Sequence, residues 1–199
     1  MVAATPSSWP LFRGDLGCTG RAAVTLPTEL QVLWRYEVPE GAFDATAAIV
    51  DGRVFVGDLD GKLYALRLED GTKLWEYASE IGFPAAPAVV EGRVFVGDFD
   101  GIFHCVDVKT GKPAWKFETG AEIDSSATFY GPDVLFTSQD ATLYRLQRAS
   151  GAKVWTYSID DQLRCTPSIS GDYCFLAGCD ARLHVIDLRT GEGERSVPL

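Results

Sequence analysis

The side chains in this 199-residue sequence whose types suit chemistry are few, and their spacing decides what each can do. Five cysteines (Cys18, Cys105, Cys165, Cys174 and Cys179) form no C-x-x-C pair, and Cys174-x4-Cys179 has no companion ligands at zinc spacing. They read as small buried residues on strands, with a Cys165–Cys174 bridge between neighbouring strands as the alternative. Their usage leans toward a reducing compartment. Asp58-Leu59-Asp60-Gly61 and Asp98-Phe99-Asp100-Gly101 resemble the start of a calcium loop, but no glutamate completes an EF-hand set. Turn chemistry is the first reading of these loops and ion binding the second. Ser125-Ser126 has no histidine base nearby in the sequence, and G-x-S-x-G, H-E-x-x-H, P-loop and G-x-G-x-x-G patterns are absent. Nucleophilic and metal-dependent hydrolysis therefore lack a motif.

The elements that would position these residues come from an internal repeat. Trp34, Trp75, Trp115 and Trp155 recur at intervals of 41, 40 and 40 residues, and the next interval falls on Arg195. Gly71, Gly111, Gly151 and Gly191 share the 40-residue period, as do Asp60, Asp100, Asp140 and Asp180. Each unit carries four strand signals separated by Asp-Gly or equivalent turns, which need positive φ and favour hairpins. Four antiparallel strands in about 40 residues is the period of a β-propeller blade. The fold expected is all-β: full blades near 45–78, 85–118 and 125–158, and a fourth from 165 to 199. A lone strand at 31–38 precedes them, and residues 1–30 read as an extended arm. Four blades make a partial ring, or half of an eight-bladed one.

Repeat register also ranks the site candidates. His104 and His184 align with Tyr64 and Tyr144, so the histidines stand two blades apart and read as structural unless they line a narrow channel. The triplets before each inner strand vary most: Phe43-Asp44-Ala45, Phe83-Pro84-Ala85, Ile123-Asp124-Ser125 and Leu163-Arg164-Cys165. In a propeller this position faces the mouth of the central channel. Asp44, Phe83, Asp124 and Arg164 are therefore the candidate binding residues, with solvated loop positions as the alternative.

Composition narrows the partners. With 18 basic and 28 acidic residues the net charge is −10, which disfavours nucleic acid. No apolar run reaches the roughly 18 residues of a membrane span. The start MVAATPSSW has neither a basic nor an apolar signal-peptide region.

The segments CVDVKTGKPAW (105–115) and ALRLEDGTKLW (65–75), with RLQRASGAKVW (145–155) and VIDLRTGEGER (185–195) as weaker copies, resemble the tryptophan-docking motif A-x-D-x-x-T-G-x-x-x-W. That motif marks the pyrroloquinoline-quinone (PQQ) type propeller repeat. The opening WPLFRGD (9–15) is similar to a lead found in many bacterial members. The resemblance implies that Trp34, Trp75, Trp115 and Trp155, with Gly71, Gly111, Gly151 and Gly191, are structural girdles between blades. It also implies kinship with the lipoprotein propellers that assist outer-membrane protein assembly, and an extracytoplasmic or periplasmic setting.

The family's dehydrogenases use PQQ and calcium, held with vicinal cysteines, glutamate, asparagine and a catalytic aspartate. This sequence has no Cys-Cys pair and no asparagine. The expectation is a non-catalytic scaffold without a cofactor, PQQ and calcium entering by resemblance only. It would act through a protein partner or by self-association through open blade edges. A fragment of a PQQ-dependent dehydrogenase and a small-ligand sensor domain are the alternatives.

Overall fold

The computed structural model describes residues 8–22, 24–25, 27–39 and 41–199. The parts of the expected N-terminal arm at 1–7, 23 and 26, together with residue 40, lie outside them.

Within the described residues the chain forms four antiparallel sheets and no helix. The first sheet contains β1 (Ala48–Val50), β2 (Arg53–Gly57), β3 (Lys62–Arg67) and β4 (Lys73–Ala78), paired in that order. The second contains β5 (Ala88–Val90), β6 (Arg93–Gly97), β7 (Ile102–Asp107) and β8 (Pro113–Glu118). β9 (Thr128–Tyr130), β10 (Asp133–Ser138), β11 (Thr142–Gln147) and β12 (Lys153–Ser158) make the third. β13 (Ser168–Ser170), β14 (Tyr173–Ala177), β15 (Arg182–Asp187) and β16 (Gly193–Pro198) make the fourth. The three-residue first strands converge, with β1 touching β5 and β9 touching β13. The sheets are propeller blades arranged as an unclosed arc.

Local chemistry explains the hairpins. Asp51 and Gly52 both take positive φ (49° and 70°), as do Glu91 and Gly92 (45° and 75°), which matches the twist of the flanking strands. Between the second and third strands the Asp58 carboxylate accepts from the backbone N–H groups of Asp60 and Lys62, and Asp98 does the same for Asp100 and Ile102. This is the Asx turn that an Asp-x-Asp-Gly loop favours. A register shift recurs between the third and fourth strands of every blade, at Ala65/Leu66, Cys105/Val106, Arg145/Leu146 and Val185/Ile186. It lies beside the residue paired with the tryptophan position in each blade, as Ala65 with Trp75, and bulges of this kind re-aim side chains.

The core lies between blades rather than within them. Phe55, Leu63 and Ala65 of the first blade pack with Val94, Val96 and Val106 of the second. Phe95 and Phe103 of the second pack with Val134 and Phe136 of the third, and Leu135 and Leu143 of the third with Leu176 and Ile186 of the fourth. Each docked tryptophan stitches such an interface. The indole N–H donates to a carbonyl of the next blade: Trp75 to Val108 (2.9 Å), Trp115 to Arg148 (3.0 Å) and Trp155 to Leu188 (3.3 Å). Gly111 lies beneath Trp75 at φ +69°, where a Cβ would stand 2.8 Å from the indole, so only glycine fits there.

One expectation needs correction. Residues 31–38 are extended but pair with no strand. Trp34, Tyr36 and Val38 are half-buried against the first blade, with Trp34 Nε1 donating to Leu68 O at 2.8 Å. The fourth blade has its outer strand, β16, within the expected 165–199, although that strand carries no tryptophan. Strand pairing needs only backbone groups, so β16 forms without the side chain that the repeat places there.

Candidate functional site

The four loops that lead into the first strands meet around one cavity of about 510 Å³. Asp44 and Thr46 come from the first blade, Pro84 from the second, Asp124 and Ser126 from the third, and Arg164 and Thr166 from the fourth. The 40-residue period delivers one loop per blade to the same end of the channel. Asp44, Asp124 and Arg164 therefore share a site. Phe83 does not join them. Its side chain is fully buried beneath the rim, stacked edge-on against His104 at 5.4 Å and 2.5 Å from where a Gly57 Cβ would stand. The residue that replaces it at the cavity is its neighbour Pro84.

The remaining wall comes from residues 9–18, the WPLFRGD lead and the three residues that follow it. Trp9 pairs with Ile49 through N–H···O bonds of 2.7 and 2.9 Å in both directions. Val89 N–H donates to Pro10 O at 2.8 Å and Ile169 N–H to Leu16 O at 3.2 Å. Leu11 is buried among Ala88, Ala127 and Phe129. The segment thus seats across the inner edges of the first, second and fourth blades and presents Phe12, Arg13 and Cys18 to the cavity. A reading of these residues as an extended arm did not anticipate this plug.

Electrostatically the rim is mixed and incompletely paired. Asp124 and Arg164 do not contact each other directly. Gln139 bridges them, its amide donating to both Asp124 oxygens (2.8 and 2.9 Å) while its oxygen accepts from Arg164 at 2.9 Å. Arg164 also donates to the amide oxygen of Gln162. Among the described residues, Asp44 and Arg13 have no ion-pair partner. Gln139 was invisible as a site residue in the sequence, since it looks like one more change in the third blade's Ser138-Gln139-Asp140-Ala141 loop. Its signal was the loss of the apolar residue found there in the first two blades, Leu59 and Phe99.

The other chemistry-bearing residues are committed elsewhere. His104 is fully buried, with Nε2 2.7 Å from Asp98 Oδ2 and Nδ1 2.9 Å from the Tyr77 hydroxyl of the preceding blade. His184 repeats this with Asp180 (2.8 Å) and Tyr157 (3.1 Å). Tyr64 and Tyr144 fill the same role by donating to Asp58 and Asp140. In the first two blades the partner is the first aspartate of the loop. In the last two it is the second, because Ser138 and Gly178 have replaced the first. Burial pushes the Asp98 carboxyl up, but hydrogen bonds from His104, Ile102 N–H and Ser79 outweigh it and hold the group below its usual range.

Ser125 Oγ both accepts from and donates to the Thr137 backbone. All five cysteines are free thiols, so the Cys165–Cys174 bridge is not formed. Burial pushes Cys105 and Cys174 up to about 12.

The quinone and calcium implied by the repeat resemblance do not fit this donor set. The cavity's cysteines, Cys18 and Cys165, are far apart in sequence, and both oxygens of Asp124 are occupied by Gln139. Among the described residues no group of three His, Cys, Asp or Glu side chains is placed to hold a metal.

Solved structures similar to the chain share this architecture. BamB from Moraxella catarrhalis is 23% identical with a TM-score of 0.75, over 84% of this chain and 53% of that one. The quinohemoprotein alcohol dehydrogenase ADHIIG from Pseudomonas putida HK5 is 15% identical with a TM-score of 0.83, over 97% of this chain and 40% of that one. The computationally designed Ika4 protein is 16% identical with a TM-score of 0.72, over 80% of this chain and 99% of that one. The chain thus spans about half the length of BamB and less of the dehydrogenase. No curated protein matches it. A family model described as outer membrane protein assembly factor BamB matches residues 22–192. With that match spanning most of the sequence, on blades stitched by docked tryptophans, the chain belongs to the BamB family of PQQ-like propeller proteins.

Proposed function

We propose that the chain is a non-catalytic interaction module that holds a protein partner at its channel mouth. One observation carries this reading: four loops, one per blade, converge on an open cavity whose Asp44 and Arg13 have no ion-pair partner among the described residues. A site with unpaired charges of both signs suits a polypeptide segment, which offers both signs along its length and buries its backbone against the Ser126 and Thr166 hydroxyls. Membership of an assembly-factor family supports the same reading.

The test is selection of displayed peptides on the full chain, followed by titration of the selected peptides against Arg164→Glu and Asp44→Lys variants. Loss of at least tenfold in affinity is expected for each variant, with the melting temperature preserved. Peptides that bind both variants as well as the parent would overturn the reading. So would tight binding of PQQ with calcium accompanied by dye-linked alcohol oxidation, the outcome expected of a dehydrogenase fragment.

A further inference from the structure

Residues 31–38 look like an outer strand that has lost its blade. In the first three blades the outer strand carries Trp-x-aromatic: Trp75-Glu76-Tyr77, Trp115-Lys116-Phe117 and Trp155-Thr156-Tyr157. Trp34-Arg35-Tyr36 has the same signature, whereas β16 reads Arg195-Ser196-Val197. Trp34 makes the outer-strand contact, its N–H on Leu68 O and its ring over Gly71. Tyr36 packs edge-on against Tyr64 at 5.4 Å, as Tyr77 does against His104 at 5.6 Å in the next blade. Yet residues 31–37 make no backbone hydrogen bond among the described residues. Side chains are docked and the main chain is bare.

The fourth blade shows the complementary deficiency. Phe55 and Leu63, like Phe95 and Phe103, are fully buried against the following blade. Their counterparts Phe175 and Leu183 are only half-buried, and Val197 is 41% exposed. β16 is exposed at five of its six residues and adds little apolar cover.

We propose that residues 31–38 of one copy pair with β15 of a second copy, displacing β16, so that two four-blade arcs close head to tail into one ring. The tryptophan positions select this occupant over any other following blade. A generic next blade would need a tryptophan from position 195, which is arginine. The first blade of a second copy arrives with its groove already filled by Trp34. The two outer strands compete for one place, and the strand with the aromatic pair is the better β-former.

Repeat register then sets the new pairing. Trp34 takes the position of Arg195 opposite Val185, Tyr36 that of Val197 opposite Leu183, and Glu37 faces Arg182. Arg182 now bonds Ser196 of β16, and the exchange gives it a carboxylate instead. Closure also sets a second Asp44, Asp124 and Arg164 across the channel from the first.

The experiment is light scattering coupled to size exclusion on the full chain, with three variants. The parent is expected at twice the chain mass. Removal of residues 193–199 should leave the dimer intact, since β16 is displaced in it. The double variant Trp34→Ala/Tyr36→Ala should be monomeric while keeping its strand circular dichroism. Glu37→Cys with Arg182→Cys should give a reducible dimer band that neither single variant gives. A monomeric parent at tens of micromolar, loss of the dimer on removing β16, a dimer that survives the double alanine variant, or a cross-link within one chain would each overturn the exchange.

Discussion

A single spacing carries most of the residue-scale information. The tryptophans and glycines were legible because both sides of each dock recur at the same period, and steric fit leaves no other residue type at the glycine. Gly111→Ala puts a methyl group into the Trp75 ring at a positive φ. The expected loss is about 1–3 kcal/mol, read from the urea midpoint at constant m-value. Gly92→Ala, which has the same sign of φ but open space around it, should cost less. The triplet before each inner strand was only half legible. Its middle residue faces the cavity, while its first turns into the core in the last three blades (Phe83, Ile123 and Leu163) and stays exposed at Phe43, so Asp44, Asp124 and Arg164 reach the rim and Phe83 does not. Gln139 escaped because a bridging amide has no motif.

At the scale of elements, the turns hold the blades in register through ionised aspartates. Asp107 is held below the usual carboxylate range through hydrogen bonds from Thr110, and Asp187 lies at about 2 because of Arg189. Asp98 is held low by His104 and its loop. A carboxylate depressed in the folded state adds stability that is complete above its unfolded value, about 4, and disappears as the pH falls through the folded value. Thermal stability should therefore be level from pH 7 to about 5 and fall steadily from about 4 to 2. Melting temperatures measured across that range check this, and a curve that is flat to pH 2 would refute it. Hairpins and their aspartates were readable from Asp-Gly and Asp-x-Asp-Gly. The shift of partner from first to second aspartate was not, since either carboxylate satisfies the sequence pattern and only the geometry of the third strand chooses.

For the whole molecule, the number of blades followed from dividing the sequence by its period, but their inner lining did not. The plug has too little periodicity to declare where it sits, and its anchoring is mostly backbone hydrogen bonding, which any sequence can supply. Leu11 is its buried side-chain anchor. Leu11→Ala should loosen it and open the cavity wall that carries Cys18 and flanks Cys165. Iodoacetamide labelling at pH 8 should then speed up at both thiols. Cys105 and Cys174, held as thiols by burial, stay protected in parent and variant alike. Equal rates at Cys18 and Cys165 in the two proteins would show that the plug does not guard the cavity.

The bond between Leu16 and Ile169 has a bearing on the order of folding. It joins positions separated by nearly the whole intervening chain, whereas every blade closes through neighbours within about 40 residues. During synthesis the plug emerges before the fourth blade, and the Ile169 N–H that donates to its Leu16 carbonyl is in place only when that blade has formed. Local hairpins can form early, and this long-range closure must wait and pay its loop entropy late. A segment made before all four blades is then among the last to reach its final place, and the seating of residues 9–16 reports that the fourth blade has formed.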